Sequence, residues 1–274
     1  MTNLFNYIDR PSPIHRLTGA TKFACLLLWS FAAMSTYDTR MLLGLVALSF
    51  LLFRVSRLRL TDVRFMLGLT AGFLALNTVL LYLFSPRHGV EIYGSCHVLF
   101  GTGRYAPTKE QLFFQFNYIL KYFSTIPMVL LFVCTTNPSE FAASLNKLGV
   151  KYSVAYSVAL ALRYIPDVQQ EYRDISLAQQ ARGIEMSRKA SLGSRLRSVS
   201  SILIPLILSS MEKVEVISNA MELRCFGKNK TRTWYMGRPF RAADIASMVF
   251  CALLIVLAFV CNHLNGSRFY NPFL

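Results

Sequence analysis

Gly68-Leu69-Thr70-Ala71-Gly72-Phe73-Leu74-Ala75-Leu76-Asn77-Thr78-Val79-Leu80-Leu81-Tyr82-Leu83-Phe84 runs for 17 residues without one charged side chain. Residues 246–261 do the same near the other end of the chain. An α-helix rises about 1.5 Å per residue, so roughly 20 apolar residues cross a hydrocarbon core of about 30 Å. These runs approach that length. The chain has 274 residues, of which 54% are hydrophobic and 16% charged. The apolar residues come in long blocks, not in a pattern alternating with charge. The fold class expected is all-α: a polytopic helical membrane protein with about five transmembrane helices plus a cytoplasmic arm of amphipathic helices.

The formal net charge of +15 fits a membrane protein whose Lys and Arg gather in cytoplasmic segments, and no nucleic-acid partner is expected. Arg54, Arg57, Arg59 and Arg64 fall within eleven residues, which marks the loop after the second span as cytoplasmic. Residues 163–241 hold 14 basic and 7 acidic side chains, against one Lys or Arg in the final thirty residues. The N-terminus is therefore expected inside and the C-terminus outside. The polar first 21 residues, with Asp9, Arg10 and Arg16, predict no cleavable signal.

Spans are expected from Lys22 to about Tyr37, over residues 41–53 with an extension to Ser56, over 65–84, over 111–134, and over 243–264. Asp38-Thr39-Arg40 makes a tight external turn. Residues 85–110 form a long external loop with the look of a structured cap. The organisation read from this is a membrane region 1–134, a cytoplasmic or interfacial helical region 135–241, and a last span with a short tail, 242–274. The six cysteines show no zinc-like spacing, so neither a metal cluster nor a disulfide is expected. His88 with Cys96-His97 is the nearest approach to a metal set.

Within the predicted spans, Lys121 is the one clear charge. It either serves function inside the membrane or reaches the outer interface. Pro127 interrupts the same segment. Beyond it, Asn137, Pro138 and Glu140 read as a helix start, and Gly149 reads as its end. Pro166 is expected to begin a new helix, with Val168, Tyr172, Ile175 and Ala178 on one face, ending at Arg182-Gly183. A second such helix, from about Ser198, carries Met211, Val214, Ile217 and Met221 and ends at Leu223-Arg224. An arginine at a helix C-terminus opposes the dipole, worth roughly 0.3–1 kcal/mol. Its five donors also suit gripping carboxylates or carbonyls of another chain.

Other function classes find little support. The acids Asp62, Asp167, Glu171 and Asp174 are the nearest approach to a membrane enzyme's cluster, and Arg173 sits among them. A self-contained transporter would need polar groups and paired repeats at mid-membrane. Here stand only Lys121, Asn77 and Asn117. No phosphate-cradling glycine loop occurs, so any ATPase must be another chain.

Six motifs occur in order: Ser12-Pro13-Ile14-His15-Arg16-Leu17 with Thr21-Lys22; Thr135-Thr136-Asn137-Pro138-Ser139-Glu140; Leu145-Asn146-Lys147-Leu148-Gly149; Arg163-Tyr164-Ile165-Pro166; Ala178-Gln179-Gln180-Ala181-Arg182-Gly183; and Ala220-Met221-Glu222-Leu223-Arg224-Cys225-Phe226-Gly227. On these the chain resembles, over nearly its whole length, the transmembrane (T) component of energy-coupling factor transporters. Those are prokaryotic vitamin and metal importers driven by ATP-binding-cassette ATPases. The resemblance implies that Ala181, Arg182 and Gly183, and likewise Leu223, Arg224 and Cys225, end coupling helices that dock on two ATPase subunits. Leu223 stands where the family has Ala, and Cys225 where it has Gly, which suits a heterodimeric ATPase pair as well as a homodimer. It also implies a small substrate-binding membrane protein as partner, with Met186, Met211 and Met221 as candidates for its platform. ATP and Mg would be bound by the ATPases and no cofactor by this chain, a multi-pass protein of the cell membrane.

Overall fold

A computed structural model describes residues 12–101, 103, 105–184, 192–228, 234 and 238–272, with the backbone alone at 60, 62, 138, 139, 192 and 194–197. Nine helices are defined among them: α1 Gly19–Ser35, α2 Thr39–Val55, α3 Leu60–Phe84, α4 His88–Tyr93, α5 Lys109–Thr135, α6 Pro138–Lys147, α7 Tyr152–Ala181, α8 Leu192–Leu223 and α9 Ala242–Leu264. They form two compact units, one of residues 1–137 with 238–274 and the other of residues 138–237. The fold is that of an all-α polytopic membrane protein.

In the first unit, three helices are long and apolar enough to cross a membrane: Val63–Phe84, Lys109–Thr135 and Ala242–Leu264. α1 is apolar but shorter. At 17 residues, α1 and α2 each rise about 26 Å, the lower end of a spanning length. Thr18, Asp38 and Thr108 cap α1, α2 and α5 by accepting N–H groups of the first turn. The core joins Trp29 and Ala33 of α1, Met41 and Leu45 of α2, Met128 of α5 and Ala258 of α9. Trp29 is wholly buried and donates its indole N–H to the Ser124 hydroxyl at 3.1 Å. The apolar side chains of α3 point largely outward, Leu69 and Phe84 being 69% and 74% exposed. An outward apolar face is what lipid solvates.

The hydrogen bonds fix the direction of each helix. Thr18 N–H donates to Asp244 Oδ1 at 2.8 Å, and at the far end the Thr36 hydroxyl donates to Asn262 Oδ1 at 2.8 Å. α1 and α9 therefore run parallel. α5 is antiparallel to α1, and each lends the other a buried lysine. Lys22 Nζ donates to the Thr135 carbonyl, the last of α5, at 2.8 Å. Lys121 Nζ donates to the Met34 carbonyl near the end of α1 at 3.3 Å. A cation on the last carbonyls of a helix satisfies groups with no intrahelical partner and opposes the dipole. Phe53, Leu58, Val63, Leu130 and Cys134 pack together, which puts the end of α2, the start of α3 and the end of α5 at one level. That level, the base, also holds the starts of α1 and α9. The chain leaves this unit at Asn137 and re-enters at Arg238 on the same face, where Arg238 donates to the His15 carbonyl at 3.4 Å.

The opposite end, the crown, is tied by the C-terminal tail. Tyr37 N–H donates to the Arg268 carbonyl at 2.9 Å, Asn265 Nδ2 to Asp38 Oδ2 at 2.6 Å, and Tyr37 stacks on Phe269 at 4.6 Å. The loop after α3 is structured where it is described, as its look of a cap suggests. α4 lies against the start of α5, and Glu110, fully buried, accepts from His97 N–H, His97 Nδ1 and the Ser95 hydroxyl. Gly89 makes the close approach possible, because a Cβ there would stand 2.6 Å from the Glu110 backbone.

In the second unit, the expected break at Pro166 does not occur: α7 runs unbroken from Tyr152 to Ala181 with Pro166 inside it. A proline removes one N–H bond and crowds the carbonyl four residues back. Here the helix is held to α8 on both sides of that point. Gln179 Nε2 donates to the Ser201 carbonyl at 3.0 Å, and Lys213 pairs with Glu171 at 2.6 Å. At the other end Phe226 lies 4.6 Å from Tyr156 and 5.8 Å from Tyr152. α7 and α8 are thus antiparallel. Pro127 and Pro205 likewise sit inside continuous helices. α6 starts at Pro138 and ends before Gly149, which has φ +98°.

Candidate functional site

Arg182 is the C-cap of α7, and the turn after it is a Schellman motif. Gly183 N–H donates to the Gln180 carbonyl at 2.9 Å and Ile184 N–H to the Gln179 carbonyl at 3.1 Å, with Gly183 at φ +85°. α8 ends on the same geometry. Arg224 follows its last residue, Cys225 N–H donates to the Glu222 carbonyl at 2.9 Å, and Phe226 N–H to the Met221 carbonyl at 2.9 Å. Cys225 occupies the left-handed position at φ +55°. Residues 181–183 and 223–225 are all exposed.

Because α7 and α8 are antiparallel, the two arginines lie at opposite ends of the second unit. The 30 residues of α7 set the separation at about 45 Å. Each end is held firmly. The Arg182 end is tied by Gln179, which is buried and bonded to Ser201. The Arg224 end is anchored by an aromatic group: Phe226 on Tyr156, with Trp234 5.3 Å from Tyr152 and donating to Asn146 Oδ1 at 3.2 Å. Sequence reasoning missed this anchor, although Tyr152 and Tyr156 at i, i+4 were the available signal. Midway, the Lys213 ammonium and then the Ser209 hydroxyl hold the Glu171 carboxyl below the usual carboxylate range, against the opposing effect of burial.

The apolar surface between the two arginines is extensive. Ile204, Ile207, Leu208, Met211 and Val214 follow one another at helical spacing along α8 and are 56–65% exposed. Met211 thus lies on an open face, Met221 is half-buried, and Met186 falls outside the described residues. Leu223, beside Arg224, is 87% exposed.

The other sequence candidates resolve differently. Lys121 is 3% exposed, and its ammonium lies 3.2 Å from the centre of the Tyr37 ring besides bonding the Met34 carbonyl. It is a pin between α5 and the end of α1. His97 is paired with Glu110, while His88 faces Glu91 at 3.6 Å and Phe114. No group of three metal-ligating side chains occurs among the described residues. Nor do the acids of α7 converge: Glu171 turns to Lys213, and Asp174 accepts from Gln170 at 3.0 Å.

Comparison with known proteins gives these features a family. The profile of the family described as cobalt transport protein (CbiQ) matches residues 10–235. An energy-coupling factor transporter transmembrane protein (EcfT) of Thermanaerovibrio acidaminovorans is 30% identical over 87% of each chain. The EcfT of Listeria innocua is 26% identical over 93% of this chain and 96% of its own. A putative ABC transporter ATP-binding protein of Bifidobacterium longum is 29% identical over 51% of this chain, which corresponds to only 18% of that longer protein. The chain belongs to the family of transmembrane (T) components of energy-coupling factor transporters.

Proposed function

We propose that α7 and α8 are the coupling helices of an ATP-driven importer, each delivering its arginine to one of two ATP-binding-cassette subunits. The observation that carries this reading is the pair of like Schellman ends, both exposed and both arginine-capped, set one helix length apart on a braced antiparallel pair. Two equivalent contacts about 45 Å apart suit a dimeric partner. Exposed Leu223 adds an apolar contact at one end only, which suits a non-identical pair of ATPases. The long Bifidobacterium relative, named for ATP binding, supports a close tie between such membrane segments and an ATPase.

In this mechanism the chain contributes no catalysis and binds no cofactor. ATP and Mg are held by the ATPases, whose closure moves the two helix ends. The open Ile/Leu/Met stripe of α8, including Met211, receives a small membrane protein that holds the vitamin or metal. Met suits a face that must repack. Lys and Arg crowd the base of the first unit, so the positive-inside bias puts that face in the cytoplasm. The C-terminal tail is then outside, and the location is the cell membrane of a prokaryote.

The test is the double charge reversal Arg182→Glu with Arg224→Glu in the whole transporter. The expected result is a membrane-inserted chain that no longer retains ATPases on purification and supports no ATP-driven uptake. Undiminished uptake by the double variant would sink the reading.

A further inference from the structure

Ser12, Arg16, Arg57 and Arg241 line a cavity of about 490 Å³ at the base of the first unit, together with Leu17 and Asp244. Its three arginines come from segments far apart in the chain: the lead-in to α1, the turn after α2, and the N-cap of α9. Among the described residues Asp244 is the one carboxylate in the wall, and it is buried. Oδ1 accepts Thr18 N–H and Oδ2 accepts Arg241 N–H, each at 2.8 Å. The described part of the wall is therefore cationic, with Asp244 turned to backbone donors. Arg57 holds its place from a left-handed backbone, φ +58°, that a non-glycine residue rarely adopts.

Leu17 also lines a second cavity, of about 100 Å³, which rises between α1, α2, α5 and α9. Its wall is nearly all apolar and includes Trp29, Leu52, Met128, Phe132 and Phe250. A cationic chamber at the membrane face thus adjoins an apolar crevice pointing into the membrane. A soluble phosphate would use only the first. An amphiphile with an anionic head and a hydrocarbon chain would use both.

We propose that this pair of cavities is a binding site for one anionic phospholipid, its phosphate among Arg16, Arg57 and Arg241 and part of an acyl chain in the crevice beyond Leu17. Guanidinium groups grip phosphate oxygens in pairs, and the crevice supplies what a diffuse basic surface lacks. The site lies wholly in the first unit, so it stands or falls apart from the coupling role.

The test is native mass spectrometry of the full chain in mild detergent, with phosphatidylglycerol and phosphatidylcholine of the same acyl chains. The expected result is one phosphatidylglycerol retained in preference. R16Q/R57Q/R241Q should lower its retention to the phosphatidylcholine level, each arginine accounting for roughly five-fold. R16Q alone changes an exposed side chain and should show a single such step in a monodisperse protein. R59Q/R64Q removes charge from the same end without touching the cavity wall, and should leave retention unchanged. Equal loss in R59Q/R64Q, or no preference in the unaltered chain, would overturn the site. Complete displacement of the lipid by excess inorganic phosphate would assign the cavity to a soluble anion and overturn the lipid.

Discussion

Cys225 at the end of α8 holds the backbone position that Gly183 holds at the end of α7. Both have positive φ, +55° and +85°, and both donate to the carbonyl three residues back at 2.9 Å. The family departure at Cys225 therefore leaves the shape of the turn intact. A side chain in the left-handed region costs roughly 1–2 kcal/mol. Cys225→Gly should stabilise the end of α8 by about 1 kcal/mol, read as slower amide exchange of residues 221–226. Gly183→Ala should do the reverse at the end of α7. It would do so through backbone strain alone, since a Cβ there meets no atom within 4 Å.

Under the proposed coupling role, two contacts on one arm act together, so the second attachment is intramolecular and can strengthen binding by about 10²–10⁴. Arg182→Glu or Arg224→Glu alone should leave ATPase subunits bound weakly, lost on dilution but seen at high concentration. The double reversal should show neither. ATPase retention measured against dilution separates these cases. Equal retention in single and double variants would mean the two ends do not bind together.

The Glu171–Lys213 pair braces the middle of the arm. The Glu171 carboxyl is held below its usual range. Its contribution is thus complete above the unfolded carboxylate pKa and is lost as pH falls through the lower folded value. Acidification should loosen α7 from α8. Glu171→Gln should weaken the packing at neutral pH by about 0.5–1 kcal/mol and abolish the acid-side change. Crosslinking yield between cysteines placed on α7 and α8, followed against pH, checks both.

Gly89→Ala should detach α4 from α5, because its Cβ would fall 2.6 Å from the Glu110 backbone. Overpacking of this kind costs about 1–3 kcal/mol. Proteolysis between α3 and α5 should rise, with the five other helices of that unit still assembled.

Lys121→Met tests the buried lysine. Replacing a buried charge by an apolar chain of like volume is often mild, although the Met34 carbonyl then loses its donor, at about 1–2 kcal/mol. Uptake should persist with a modest fall in thermal stability. Loss of uptake in a stable, assembled complex would show that Lys121 does more than join two helices.

Much of the fold was legible because spanning helices announce themselves by length and missing charge. Asp38 marked a turn, where its side chain accepts the Arg40 N–H, and Gly149 marked a helix end through its left-handed backbone. Pro166 misled, since its local penalty is met by contacts such as Glu171–Lys213 that lie some 40 residues apart. α4 was hidden, being six residues long and stable only against α5. At the arginine ends, Gly183 announces a left-handed turn in its composition. Cys225 does not, because Phe226 and its aromatic partners impose the turn from outside. The reciprocal lysines show the same limit. Lys22 and Lys121 are visible as charges, but their targets are carbonyls, which no sequence distinguishes.

The parallel pairing of α1 with α9 sets an order of biogenesis. α1 reaches the membrane long before α9 is made, yet the Ser35 carbonyl and Asp38 carboxylate at its crown end wait for Asn262, Asn265 and Arg268. Everything between, including the whole of residues 138–237, is synthesised in the interval. The first unit closes only when α9 has been inserted. A chain without α9 would keep its arm but leave that bundle open, a difference that cellular proteases can read.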